Sequence, residues 1–166
     1  MRKNHKTKWD ILASDIKNAI EVACKKLQSL TEDVVNKRPT PSDWSAKEVV
    51  GHLIDSASNN HQRFVRLQIT DGLAFPDYGH DNDAWVKIQR YQETSLDDLL
   101  DLWKGLNRHL AGIIRNVDET CIDHIWVVGE DNTITLGDLM DDYLRHLRVH
   151  IVQIEDCVAG ATTSNE

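Results

Sequence analysis

LGDLMDDYLRHLRVHIVQIEDCVA, residues 136–159, decides the fold. Leu136, Met140, Leu144, Leu147, Ile151, Ile154 and Val158 recur at threes and fours. At about 100° per residue they fall in one arc, so the segment reads as a long amphipathic helix with one face in a core. Thr135-Leu136-Gly137-Asp138 reads as its start, and Gly160 stands where a C-terminal glycine cap belongs. His146 and His150, four residues apart, lie at the edge of the arc, on a stripe with Asp142, Gln153 and Tyr143.

Three more segments share this periodicity. One runs from about Lys8 to Leu30, with Ile16, Ile20, Ala23, Leu27 and Leu30 as its apolar set. The next opens on Ser45-Ala46-Lys47-Glu48, a capping box in which Ser45 accepts from a backbone amide and Glu48 reaches back. It continues to about Ile69, ahead of Asp71-Gly72. Ser95 caps the third, which ends near Arg115. Residues 31–43 form a connection, and a short helix spans about Asp83 to Tyr91. The stretch from Ile125 to Ile134 reads as a small hairpin around Gly129-Glu130-Asp131-Asn132. These signals predict an all-α protein: a four-helix bundle with long, partly structured connections between helices two and three and between three and four. The connections are expected to cover one end of the bundle. A single domain over residues 1–166 is expected, with its core at about 8–160 and a frayed tail at 161–166.

Hydrophobic residues make up 40% and charged residues 28% of the chain, an ordinary globular mixture. The net charge of −8 argues against nucleic acid or an anionic membrane as partner. Cys24, Cys121 and Cys157 form no Cys-x-x-Cys pair and read as buried apolar fillers in a reducing compartment. The basic start lacks the apolar segment of a secretion signal, and no run is long enough to span a membrane, so a cytoplasmic location is expected.

The second long helix repeats the layout of the last. His52 lies beside its apolar face with Ser56, Asn59 and Arg63 on the same stripe. Two such stripes facing each other would line a polar pocket. Three neutral imidazoles at His52, His146 and His150 would hold Zn²⁺ or Ni²⁺, with Fe²⁺ or Mn²⁺ as other choices, and leave positions open for water or substrate. Surface histidines are the competing reading, and spacing alone does not decide between them. The pair lacks the glutamate of the zincin motif. Asp55 reads as solvated charge rather than as a residue orienting a ligand imidazole.

The stretch Trp44-Ser45-Ala46-Lys47-Glu48-Val49-Val50-Gly51-His52-Leu53-Ile54-Asp55 resembles the helix-two signature of the DinB/YfiT-like superfamily of metal-dependent enzymes. Residues 56–64, the helix-four pattern from Tyr143 to Ile151, and Pro76-Asp77-Tyr78 leading to Asp83-Ala84-Trp85 fit its YfiT-like branch. The resemblance covers roughly residues 10–158. It implies a bundle of unusual connectivity, with His52, His146 and His150 at the family's ligand positions. It also implies an activity, since some relatives are thiol S-transferases that use bacillithiol and others are mycothiol-dependent isomerases. One departure is Val149, where the branch often has another histidine.

The expected function is a metal-dependent thiol S-transferase in which a low-molecular-weight thiol, held as thiolate, attacks a small electrophile. Arg63 would take an anionic group, Asn59 and Ser56 would orient either partner, and Tyr78 and Trp85 would close the mouth. The alternatives are a metal-dependent hydrolase with Asp142 as base, and a non-catalytic metal-binding or stress-related bundle. The sequence leaves a homodimer open.

Overall fold

The computed structural model describes residues 6–74, 81–128 and 132–163. Its elements are α1 (Lys8–Gln28), α2 (Glu32–Asn36), α3 (Ala46–Ile69), α4 (Asn82–Gln89), α5 (Leu96–Arg115), β1 (Ile125–Val127), β2 (Thr133–Thr135) and α6 (Leu136–Thr163). The starts expected at Ser45 and Ser95 hold. Ser45 Oγ accepts from the Glu48 amide at 3.2 Å while Glu48 Oε2 accepts from the Ser45 amide at 2.9 Å, and Ser95 Oγ accepts from the Asp98 amide. Thr135 Oγ1 accepts from the Asp138 amide at 3.0 Å to start α6.

The four long helices close a ring in the order α1, α5, α3, α6. Lys8–Asp141, Asp15–Arg148 and Lys26–Glu155 ion pairs step along α1 and α6 in the same direction, so those helices are parallel. Between α3 and α6, His52 meets His146 and His150 while Phe64 meets Tyr143, so they are antiparallel. Gln92, just before α5, donates to Ser45, just before α3; Asp118, just after α5, donates to Gln68 near the end of α3. Those two neighbours therefore run parallel, and the chain between them must travel back along the bundle. That is why the connection at residues 70–95 is long and carries α4. The core fills the ring with Ile16, Leu27, Leu53, Phe64, Leu100, Trp103, Leu136, Met140 and Leu147, all fully buried.

β1 and β2 pair antiparallel with Trp126 opposite Ile134, and Leu73 bridges to Trp126. Residues 129–131 of the hairpin turn lie outside the described residues, as do Tyr78 and the Pro76-Asp77-Tyr78 loop. Three expectations are corrected. α2 forms inside what reads as plain connection, burying Val35. α1 ends two residues early at Gln28, where Ser29 donates to the Lys26 carbonyl. Gly160 does not cap: α6 runs through it to Thr163, because Ala161 is buried and its carbonyl accepts from Lys37 Nζ at 3.2 Å.

Candidate metal centre

α3 and α6 bring the three histidines together. His52 stands a turn and a half inside α3 and is buried; His146 and His150 are half-buried on α6. Their ring centroids lie 5.5 Å (His52–His146), 4.6 Å (His52–His150) and 4.4 Å (His146–His150) apart. One nitrogen from each falls within 4.8 Å of the others, and among the described residues no other group of three metal-competent side chains converges this way.

The donor set fits a metal. His146 Nε2 and His150 Nε2 are 3.1 Å apart. Two nitrogens each about 2.1 Å from one ion, with an angle between 90° and the tetrahedral value, stand about 3.0–3.4 Å apart. Burial, reinforced by the charges of His150 and Arg145 against the opposing pull of Asp142, pushes the His146 imidazole down to about 4. It is therefore neutral at pH 7, the state a ligand needs. His150 Nδ1 lies 2.7 Å from Gln153 Oε1.

Beside the histidines is a cavity of about 160 Å³. His52, Ser56, Asn59 and Arg63 from α3 face Asp142 and His146 from α6 across it, so the two stripes meet as the sequence predicts. The Arg63 guanidinium lies 4.4 Å from the centre of the Trp126 ring, which anchors the hairpin to the site. Asp142 Oδ1 accepts from Arg145 Nε at 2.8 Å and Nη2 at 2.6 Å. Tyr143 lines the cavity, but its hydroxyl donates to Asn107 Oδ1 on α5, and burial pushes that phenol up.

The cavity also contains residues the sequence reading missed. Asn60, whose amide donates to the Ser56 carbonyl at 2.9 Å, lies next to the marked Asn59. Asn82 comes from the start of α4, and no periodicity links that segment to α3. Two buried polar atoms at this cavity, Asn82 Oδ1 and His146 Nδ1, have no hydrogen-bond partner among the described residues.

Asp55 is not solvated: it is buried, and its Oδ1 accepts from Gln89 Nε2 at 2.7 Å and the Tyr91 hydroxyl at 2.8 Å, fastening the returning connection to α3. Trp44 packs 5.1 Å from His52, ring to ring, and donates from Nε1 to Asp83. Trp85 is half-buried one turn into α4, near Asn82 in sequence and outside the set of residues lining the cavity. All three cysteines are buried, and Cys157 donates to the Trp44 carbonyl rather than joining the histidines.

A four-helix bundle with three convergent imidazoles beside a polar cavity is the architecture of a metal-dependent enzyme. The chain belongs to the DinB superfamily, whose model matches residues 19–154. It is 24% identical over 160 residues to "Putative metal-dependent hydrolase YfiT" of Bacillus subtilis, covering 93% of this chain and 84% of that one. It is 23% identical over 151 residues to a "Putative metal-dependent hydrolase" of Oceanobacillus iheyensis, covering 87% and 85%. The solved structure of Bacillus subtilis YfiT, described as having an unusual four-helix bundle topology, superposes with a TM-score of 0.77 at 21% identity. That match covers 95% of this chain and 87% of the other. Among the described residues no helix is long and apolar enough to cross a membrane.

Proposed function

We propose that this chain is a metal-dependent S-transferase that joins a low-molecular-weight thiol to a small electrophile. The observation that carries the reading is the pairing of the three-histidine cluster with a cavity holding two unpartnered buried polar atoms, Asn82 Oδ1 and His146 Nδ1. Buried polar atoms without partners are rare and mark places where a water or ligand belongs.

His52, His146 and His150 would hold the cation, with Zn²⁺ or Ni²⁺ as the expected occupant. When bound, such an ion supplies Lewis acidity that makes a thiol or a water nucleophilic at neutral pH. The chain's own groups do the rest. Arg63, its guanidinium plane set by Trp126, takes an anionic group. Ser56, Asn59 and Asn60 orient the bound partner, and Asn82 Oδ1 accepts from an N–H or O–H of it. The small cavity limits what enters on this side to a compact molecule.

Hydrolysis is the second reading, favoured by the names of the relatives and by Asp142 at the cavity wall. There Asp142 would take the proton of an attacking water, with Arg145 holding its Oδ1 in place. Zn²⁺- or Ni²⁺-loaded protein, assayed with chloronitrobenzene and epoxide electrophiles and with ester and amide substrates, separates the two. Turnover that requires added thiol supports the transferase; turnover unchanged by thiol and reduced at least about tenfold in Asp142→Asn supports the hydrolase.

A further inference from the structure

We infer that Gln153 is the positioning residue of this centre, fixing His150 in the tautomer whose Nε2 faces the other imidazoles. The inference rests on the three-histidine reading above. His150 Nδ1 and Gln153 Oε1 are 2.7 Å apart, on successive turns of α6. A neutral imidazole carries one N–H, so an Nδ1–H donated to this carbonyl leaves Nε2 with its lone pair. That Nε2 is the atom 3.1 Å from His146 Nε2. The opposite arrangement, with the Gln153 amide donating to Nδ1, would place the proton on Nε2 and remove His150 from the donor set.

The two α6 histidines thus differ. His150 has its outward nitrogen held by a neighbour on its own helix, whereas His146 Nδ1 is buried with no hydrogen-bond partner among the described residues. His150 is therefore the pre-set ligand, its ring plane fixed before any ion arrives. The acceptor is a neutral amide, so orientation comes without a second negative charge at the site.

Gln153→Glu and Gln153→Ala test this. A carboxylate only accepts, so Glu enforces the same tautomer if its oxygen reaches Nδ1; Ala releases the ring. Zn²⁺ affinity is read by competition with a chromophoric chelator for wild type, both variants and His150→Ala, with circular dichroism to confirm each fold. Gln153→Ala is expected to bind about 10–100-fold more weakly than wild type, and Gln153→Glu to stay within about threefold of it. In metal-free wild type, imidazole ¹⁵N shifts should show His150 protonated at Nδ1, and that preference should fade in Gln153→Ala. The positioning role is overturned if Gln153→Ala binds Zn²⁺ like wild type, if Gln153→Glu is as weak as Gln153→Ala, or if wild-type His150 carries its proton on Nε2. If His150→Ala itself binds as tightly as wild type, the ligand reading fails, and this one with it.

Discussion

Helix α3 buries two polar regions one turn apart, and they are built on opposite plans. Around Glu48 every charge is answered. Its carboxylate accepts from Arg38 Nε and Nη2, the Ser45 amide and Gln92 Nε2, while neighbouring Lys47 donates to Glu32 and to the Gln92 carbonyl. Around His52 the plan differs: one nitrogen from each of three imidazoles falls within 4.8 Å of the others, and His146 Nδ1, on the facing helix, is buried without a hydrogen-bond partner among the described residues. A saturated network specifies structure, because any change leaves a charge stranded. A buried imidazole nitrogen without a partner, such as His146 Nδ1 on the helix facing α3, is tolerable only where something else completes it.

The sharpest way to break this contrast is to remove a ligand. Each of His52→Ala, His146→Ala and His150→Ala should bind divalent metal at least about 100-fold more weakly than wild type, read by mass-spectrometric metal analysis after dialysis against a weak chelator. Thermal stability of the metal-free proteins should change far less than metal content. Full metal content in any of the three would sink the assignment of that residue.

Glu48 makes the opposite forecast. Glu48→Ala takes the acceptor from the Ser45 amide and Gln92 Nε2 and one partner from the half-exposed Arg38 guanidinium, and should cost about 2–3 kcal/mol in urea unfolding, while the folded fraction keeps wild-type metal affinity. Burial raises the Glu48 carboxyl, but bonds from Arg38, the Ser45 amide and Gln92, with the Arg38 charge, outweigh it and hold it below its usual value of 4.5. The folded state therefore binds fewer protons here than the unfolded chain. This stabilisation is full above about pH 4.5 and is lost as pH falls through the lowered folded value. Unfolding curves from pH 6 down to pH 3 should show wild type losing its advantage over Glu48→Gln in that window. A constant gap would remove Glu48 from the acid response.

Most of the bundle was legible because its signals are local. Capping at Ser45 and Ser95 and the threes-and-fours spacing need only a few consecutive residues; the i, i+4 pair beside an apolar arc marks the α6 stripe, but taking His52, His146 and His150 as one ligand set needed the family resemblance as well. What was illegible depends on partners far along the chain. The parallel run of α3 and α5 is set by contacts such as Gln92 with Ser45 and Asp118 with Gln68, which no periodicity announces. Asp55 reads as solvent-facing until Gln89 and Tyr91 return to it. Gly160 looks like a cap because burial of Ala161 beyond it is a tertiary fact. Asn82 joins the cavity for the same reason, delivered by the connection rather than by a helix face.

Gly51 sits between the two regions and tests whether they are mechanically separate. A Cβ there would overlap the Tyr91 ring, the residue whose hydroxyl is bonded to Asp55. Gly51→Ala must therefore push Tyr91 off the helix, at about 1–3 kcal/mol for overpacking, against about 1 kcal/mol gained from replacing glycine inside a helix. Net destabilisation should be smaller than for Glu48→Ala. Gly105, on α5, has nothing within 4 Å of such a Cβ, so Gly105→Ala isolates the helix gain and should stabilise by up to about 1 kcal/mol. The discriminating measurement is metal affinity in Gly51→Ala. If the saturated region only frames the bundle, affinity stays near wild type although His52 is the next residue. If affinity falls as stability falls, the packing of Tyr91 against α3 also sets where the His52 ring stands, and the two regions are one device.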